Sequence, residues 1–147
     1  MKITVCGSIA FYDEMLDAKK KLEVLGHEID LPPLEIKDEN GKMIPIKEYY
    51  ERRKKETKET GWIWDRKEFA MKMHFKKIEW ADSILIMNFD KNGIKDYIGP
   101  NTLMEMGLAF HLGKKIYLFN SIPDMIYKEE ILGIKPVVIN SDLKIIV

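Results

Sequence analysis

A single carboxylate, Glu105, stands in an otherwise apolar helical pattern that follows a short apolar strand pattern and a loop. The helix is predicted to begin near Gly99 and Pro100, where Asn101 or Thr102 can cap its free amides. Ligands of open α/β sheets bind beyond the carboxyl ends of the strands, so this carboxylate is well placed for a reactive group. Spacing alone slightly favours a simpler role, in which the acid stabilises the helix dipole.

A Gly-Ser turn at Gly7 and Ser8 directly follows the first predicted strand, residues 2–6, and precedes a helical pattern over 11–26. Backbone amides and a hydroxyl in such a turn can approach a phosphate or a ribose at a helix N-terminus. A plain structural turn fits the pattern equally well, because neither the Rossmann glycine pattern nor the P-loop pattern is present.

Strand and helix patterns alternate along the chain and indicate one α/β domain over 1–147. Predicted strands cover 2–6, 28–31, 83–88, 116–119 and 136–140. This alternation predicts a doubly wound, five-stranded parallel sheet of the flavodoxin or Rossmann-like kind, with strand order 2-1-3-4-5. The switch point of that order lies between the first and third strands. The Gly-Ser turn and the segment 88–105 are therefore expected to meet in one crevice.

The segment 33–80 is a helical insertion before the third strand. It is expected to contain a polar loop over 33–46, a charged helix over 47–60, and a second helix that Asp65 caps and that runs to about Trp80. A solvated face is the favoured interpretation of the basic run at 52–55, over one in which it covers a ligand mouth. The second helix has more apolar faces than one sheet contact needs, which a second subunit or its own sheet can cover.

Composition excludes several classes of partner. Lys and Arg together number 24, as do Asp and Glu, so no global field attracts nucleic acid or a membrane. Cys6, the single cysteine, excludes an internal disulfide and is expected to be a buried hydrophobe in a reduced, cytoplasmic compartment. No metal site is expected, since one cysteine and three scattered histidines suggest no ligand cluster, and His74 is interpreted as a packed side chain.

Two separated motifs resemble those of the nucleoside 2-deoxyribosyltransferase superfamily, which includes the 2′-deoxynucleoside 5′-phosphate N-hydrolases. The first is Cys-Gly-Ser-Ile over 6–9, after the first strand. The second begins with Ala-Asp-Ser-Ile-Leu-Ile over 81–86, which leads into the third strand. It continues with Glu-Met-Gly-Leu-Ala over 105–109 and ends with Gly-Lys over 113–114. The resemblance covers about the first ten residues and 81–119, and leaves out 33–80.

This resemblance implies an enzyme that cleaves or transfers at the N-glycosidic bond of a nucleoside or nucleoside 5′-monophosphate. Glu105 would attack the anomeric carbon, and water or a second base would resolve the glycosyl ester. The Gly-Ser turn would hold the sugar or its 5′ end, while Asp90, or else Asp96, would orient the base or transfer a proton. The expected site comprises catalytic Glu105 and Asp90, and substrate-binding Gly7, Ser8, Ile9, Asn88, Gly99, Asn101 and Thr102. No cofactor is implied, and a homodimer or higher homo-oligomer is expected, because the family builds sites across a dimer interface.

The chain departs from the hydrolase relatives at several positions. Thr4 stands where they have a tyrosine, Ala10 where they have an arginine, and Asn101 and Leu103 where they have a Gly-x-Gly. These departures motivate an alternative, a nucleotide-binding or sensing module of the same fold that has no turnover.

Overall fold

The computed structural model describes all 147 residues. Its strands are β1 Lys2–Gly7, β2 Glu28–Asp30, β3 Glu35–Lys37, β4 Met43–Pro45, β5 Ser83–Met87, β6 Lys115–Leu118 and β7 Val137–Val138. Its helices are α1 Tyr12–Val24, α2 Ile46–Lys55, α3 Trp62–Trp80, α4 Pro100–His111 and α5 Lys128–Ile134, with 3-10 turns at Ile9–Phe11 and Leu143–Ile145. None of these helices combines the length and the apolar character that a bilayer crossing requires.

Five strands form one parallel sheet in the order β2-β1-β5-β6-β7. Counted along the chain without the β3–β4 hairpin, this is the predicted order 2-1-3-4-5, so the predicted fold class is confirmed. The register of the two central strands places Gly7 opposite Met87. The carboxyl ends of β1 and β5 therefore lie side by side at the switch point.

Side chains of the central strands alternate between two apolar layers. On one face, Val5 and Leu85 pack with α1 in a cluster that the C-terminal turn also enters. On the other face, Cys6 and Ile86 pack with residues of α3, α4 and α5. Because side chains alternate along a strand, Cys6 faces the layer that holds α3 and α4.

The segment 33–46 is not the polar loop that the sequence analysis expects. It contains the antiparallel hairpin of β3 and β4, which pairs Ile36 with Ile44. Both isoleucines are buried in a third, smaller core with Tyr49 and Ile63. Each of these strands spans three residues and buries only its middle residue, so the sequence shows too short an alternation to indicate a strand.

Several predicted helix boundaries are wrong. Helix α2 ends at Lys55 rather than at residue 60. Helix α3 begins at Trp62, because Gly61 takes the cap position with φ of 113°. Asp65 lies in its first turn, where a carboxylate favours the helix dipole without capping the helix.

Candidate functional site

A cavity of about 380 Å³ opens at the carboxyl ends of β1 and β5. One wall is formed by the turn after β1 and the start of α4, and the other by α2 and α3. Seven of the predicted site residues line it, namely Gly7, Ser8, Ile9, Gly99, Asn101, Thr102 and Glu105. The two segments that the sequence analysis places in one crevice do share this cavity.

Close packing at the end of β1 requires glycine at position 7. Gly7 has φ of +152°, and a Cβ there would lie 2.7 Å from the carbonyl oxygen of Met87 and 2.9 Å from Cε of Met15. Any side chain would push β1 away from β5 or from α1. The turn thus brings the Ser8 hydroxyl to the cavity wall while the two central strands remain paired.

Lys91 joins the two walls of the cavity. Its Nζ donates to Ser8 Oγ at 2.8 Å and to the Tyr50 hydroxyl at 2.9 Å. The Tyr50 ring also has Arg53 5.0 Å and Lys54 4.6 Å from its centroid. Cation–π contacts with one aromatic ring hold several positive charges at the mouth despite their mutual repulsion.

This group of side chains at the mouth, comprising Tyr50, Arg53, Lys54 and Lys91, is called the cationic rim. Neither Arg53 nor Lys91 has a carboxylate partner, while Lys54 pairs with Glu51 at 3.0 Å. The cavity lining contains no Asp or Glu other than Glu105. The rim is therefore suited to an anion such as a phosphate.

Glu105 lies at the bottom of the cavity, on the second turn of α4, and is 5% exposed. Its Oε1 accepts a hydrogen bond from Asn101 Nδ2 at 2.9 Å, and Asn101 Oδ1 in turn accepts one from Lys67 Nζ at 3.2 Å. Its Oε2 has no hydrogen-bond partner. One carboxylate oxygen is thus held in place by a hydrogen bond, and the other makes none.

The helix-capping predictions for this segment are wrong. Gly99 occupies the N-cap of α4, so Asn101 and Thr102 lie inside the first turn, and no side chain caps the helix. The Asn101 side chain contacts Glu105 and Lys67 instead. The first turn of α4 contains no acidic residue, so the helix-dipole interpretation of Glu105 does not apply.

Two further buried side chains complete the bottom of the cavity. Cys6 Sγ lies 3.4 Å from His74 Nε2, and His74 Nε2 lies 3.9 Å from Glu105 Oε2. Cys6 is fully buried and His74 is 5% exposed. We call these three residues the buried triad. The sequence interpretation expects no cluster of metal-ligating side chains, and the structure corrects that expectation, since β1, α3 and α4 bring one from each element together.

Burial keeps the triad uncharged near neutral pH. It raises the pKa of Glu105 to about 8, against the lowering effects of the neighbouring Cys6 thiol and the Lys67 charge. Burial, together with the charge of Lys77, lowers the pKa of His74 to about 4. Burial and the neighbouring Glu105 raise the pKa of the Cys6 thiol. The His74 contact with Glu105 is therefore not an ion pair at neutral pH.

Two predicted site residues lie outside the cavity. Asn88 is fully buried directly after β5, and its amide donates to the carbonyls of Asp96 and Ser121. Asp90 is exposed, and its Oδ1 accepts from the backbone amide of Asp96 at 3.0 Å. Both side chains shape the loop between β5 and α4, and the catalytic role of Asp90 stays a prediction.

The insertion contributes side chains that the sequence analysis does not assign to the site. Arg53 and Lys54 line the cavity, and Lys54 is also exposed to solvent, so the basic run faces solvent and contributes to the cavity mouth as well. On α3, Lys67, Ala70, Met71 and His74 line it as well. Their spacing of three, four and seven residues marks one helix face, and that periodicity is the signal that could have found them.

Among the comparisons with known proteins, only the search of solved structures finds matches. No family model and no curated protein matches the chain. A solved 2-deoxyribosyltransferase from the psychrotolerant bacterium Bacillus psychrosaccharolyticus matches with a TM-score of 0.50 and 22% identity, over 81% of this chain and 72% of that one. The Clostridium botulinum CMP N-glycosidase BcmB matches with a TM-score of 0.47 and 15% identity, over 95% of this chain and 90% of that one. The chain has a fold similar to that of a 2-deoxyribosyltransferase.

Proposed function

We propose that this protein cleaves or transfers at the N-glycosidic bond of a nucleoside 5′-monophosphate, with Glu105 as the nucleophile. One observation carries the proposal: an unpartnered carboxylate oxygen lies at the bottom of a cavity whose mouth is cationic. The sequence motifs and the fold similar to a 2-deoxyribosyltransferase support the same reaction class.

The position of Glu105 fits nucleophilic attack. Asn101 holds Oε1 and so fixes the orientation of the carboxylate, while Oε2 makes no hydrogen bond. Attack of the ionised Oε2 on the anomeric carbon forms a glycosyl ester and releases the base with the electrons of the glycosidic bond. Water then hydrolyses the ester in a hydrolase, or a second base takes the sugar in a transferase.

The cationic rim supports a substrate that carries phosphate. Lys91 and Arg53 have no carboxylate partner to neutralise them, and the Ser8 hydroxyl lies beside Lys91. A 5′-phosphate at the rim would fix the sugar with its anomeric carbon toward the bottom of the cavity. Binding at a distance from the reacting bond positions that bond for attack.

A second candidate is a nucleotide-binding module without turnover. One observation favours it: Glu105 is the sole acid that lines the cavity, and its pKa of about 8 leaves it mostly protonated at neutral pH. A protonated carboxyl group is a poor nucleophile. The two candidates therefore differ most clearly above pH 8.

The test is chromatographic detection of free base at pH 9. Wild type is incubated with nucleosides and their 5′-monophosphates, ribo and deoxy, with and without a second free base as acceptor. The proposal predicts base release that Glu105→Gln reduces roughly 10⁴-fold, as loss of a nucleophile does. Glu129→Gln, which removes an exposed acid from the first turn of α5, is the matched control and should stay active. Nucleotide binding without base release at pH 9 would favour the second candidate.

A further inference from the structure

The buried triad has the spacing of a metal site. The three candidate ligand atoms lie within 4.8 Å of one another. A tetrahedral zinc ion with Zn–S of about 2.3 Å and Zn–N of about 2.0–2.1 Å places its sulfur and nitrogen ligands roughly 3.6 Å apart. Cys6 Sγ and His74 Nε2 lie 3.4 Å apart, and His74 Nε2 and Glu105 Oε2 lie 3.9 Å apart. Both separations are within about 0.5 Å of the ligand spacing in such a site.

The ligand atoms are available and rigidly supported. Glu105 Oε2 has no hydrogen-bond partner although the residue is 95% buried, which leaves a carboxylate oxygen directed at the other two ligands. Cys6 lies in the central strand β1, His74 in α3 and Glu105 in α4. Sites built on strands and helices hold ligand geometry better than sites on loops.

The triad is also open to the cavity. His74 and Glu105 both line it, so an ion can reach the triad from the mouth. Three protein ligands leave one tetrahedral position free, which is the arrangement of an open zinc site. A sulfur, a nitrogen and an oxygen ligand suit Zn²⁺ or Co²⁺, whereas Mg²⁺ prefers six oxygens.

We propose that Cys6, His74 and Glu105 bind one zinc-class divalent ion at the bottom of the cavity. An ion there holds Glu105 Oε2, the oxygen that would attack the anomeric carbon. Metal binding and glycosidic chemistry are then mutually exclusive, and Zn²⁺ acts as a reversible inhibitor. The inhibition rests on the proposed function, whereas the binding does not.

Binding is tested with Co²⁺ as a spectroscopic probe. The full chain, stripped of metal with a chelator, is titrated with Co²⁺, and the thiolate-to-cobalt charge-transfer absorption is recorded; Zn²⁺ is then added to displace it. We expect one Co²⁺ per chain. The variants Cys6→Ser and His74→Gln should each lower the affinity at least about 100-fold, since removal of a ligand exceeds the effect of losing an outer-shell partner. His111→Gln, on the exposed end of α4, is the matched control and should bind as wild type does.

The inference is overturned if no thiolate-to-cobalt absorption develops, or if it persists in a folded Cys6→Ser or His74→Gln variant. Two variants on different elements keep the test decisive if one of them fails to fold. Base release is then measured with Zn²⁺, with Zn²⁺ plus chelator, and with Mg²⁺. Loss with Zn²⁺ alone supports inhibition at the triad. Metal binding in a protein that never releases base would reject the proposed function and leave the metal site standing.

Discussion

The bottom and the mouth of the cavity differ in burial, in charge and in origin. At the bottom, the buried triad is almost fully enclosed and uncharged near neutral pH. At the mouth, the cationic rim is partly exposed and carries permanent positive charge. A dry bottom strengthens electrostatic effects on bond cleavage, while a charged mouth attracts and orients an anionic substrate. Under the proposed function, reactivity belongs to the bottom and substrate selection to the mouth.

Ionisation of Glu105 at the bottom of the cavity gives the largest predicted change in kcat/KM. Attack requires ionised Glu105, whose pKa is about 8, so kcat/KM should rise roughly tenfold per pH unit below pH 8 and level off above it. The positive charge of Lys67 lowers the Glu105 pKa, so Lys67→Gln should move the rising limb to higher pH. Base-release rates from pH 6 to 10 check both statements. If the rising limb stays at the same pH in Lys67→Gln, the pH dependence of kcat/KM does not report the ionisation of Glu105.

Removal of positive charge at the mouth should lower kcat/KM for nucleotides and leave that for nucleosides unchanged. Arg53→Gln and Lys91→Gln are each expected to lower kcat/KM for a 5′-monophosphate roughly 10-fold to 100-fold, because a charge-assisted contact to phosphate is lost. The matching nucleoside lacks the phosphate, so its rate should change little. Lys55→Gln, at the exposed residue that follows Lys54 at the end of α2 and does not line the cavity, is the control. Equal losses for nucleoside and nucleotide would contradict the division between mouth and bottom.

The buried carboxyl should also cost stability at high pH. The Glu105 pKa is about 8 in the fold and starts from an ordinary value of 4.5, so the folded chain holds a proton that the unfolded chain releases between those values. Stability from this group is complete below about pH 4.5 and is lost as pH rises through 8. Glu105→Gln should therefore melt several degrees above wild type at pH 9 and close to it at pH 4. Melting scans at both pH values check the sign, and a Gln variant less stable at pH 9 would contradict it.

The smallest expected effect is that of an exposed apolar side chain on self-association. Helix α3 exposes 53% of Phe69 and 37% of Met73, and α4 exposes 50% of Met104. The homodimer expected from the sequence stays a prediction, and light scattering coupled to size-exclusion chromatography tests it. Phe69→Glu should shift the protein toward a monomer if these side chains form the contact. A monomeric wild type at working concentrations would reject the prediction.

The sheet and the turn at Gly7 follow from patterns within short stretches of sequence. Strand periodicity and the alternation with helices suffice to predict the strand order, and the motif residues Ser8 and Glu105 do line the cavity. The capping pattern at Asn101 fails because α4 already begins at Pro100, so Asn101 lies inside the first turn, where its side chain holds Glu105.

The mouth and the triad depend on contacts that no local pattern encodes. Cys6 and His74 are 68 residues apart and meet because one face of β1 packs against α3. The rim depends on the position of α2 beside the loop after β5, where Tyr50 meets Lys91. A basic run such as 52–55 looks the same in sequence whether it faces water or a ligand.

A covalent glycosyl ester on Glu105 is the most direct sign of the proposed chemistry. Wild type is mixed with a nucleotide that it cleaves at pH 9, quenched in acid within the first turnover and analysed by intact mass and peptide mapping. We predict an added mass equal to the sugar phosphate less one water, located on the peptide that contains Glu105 and absent in Glu105→Gln. Base release with no adduct on that peptide, and with activity retained in Glu105→Gln, would contradict it.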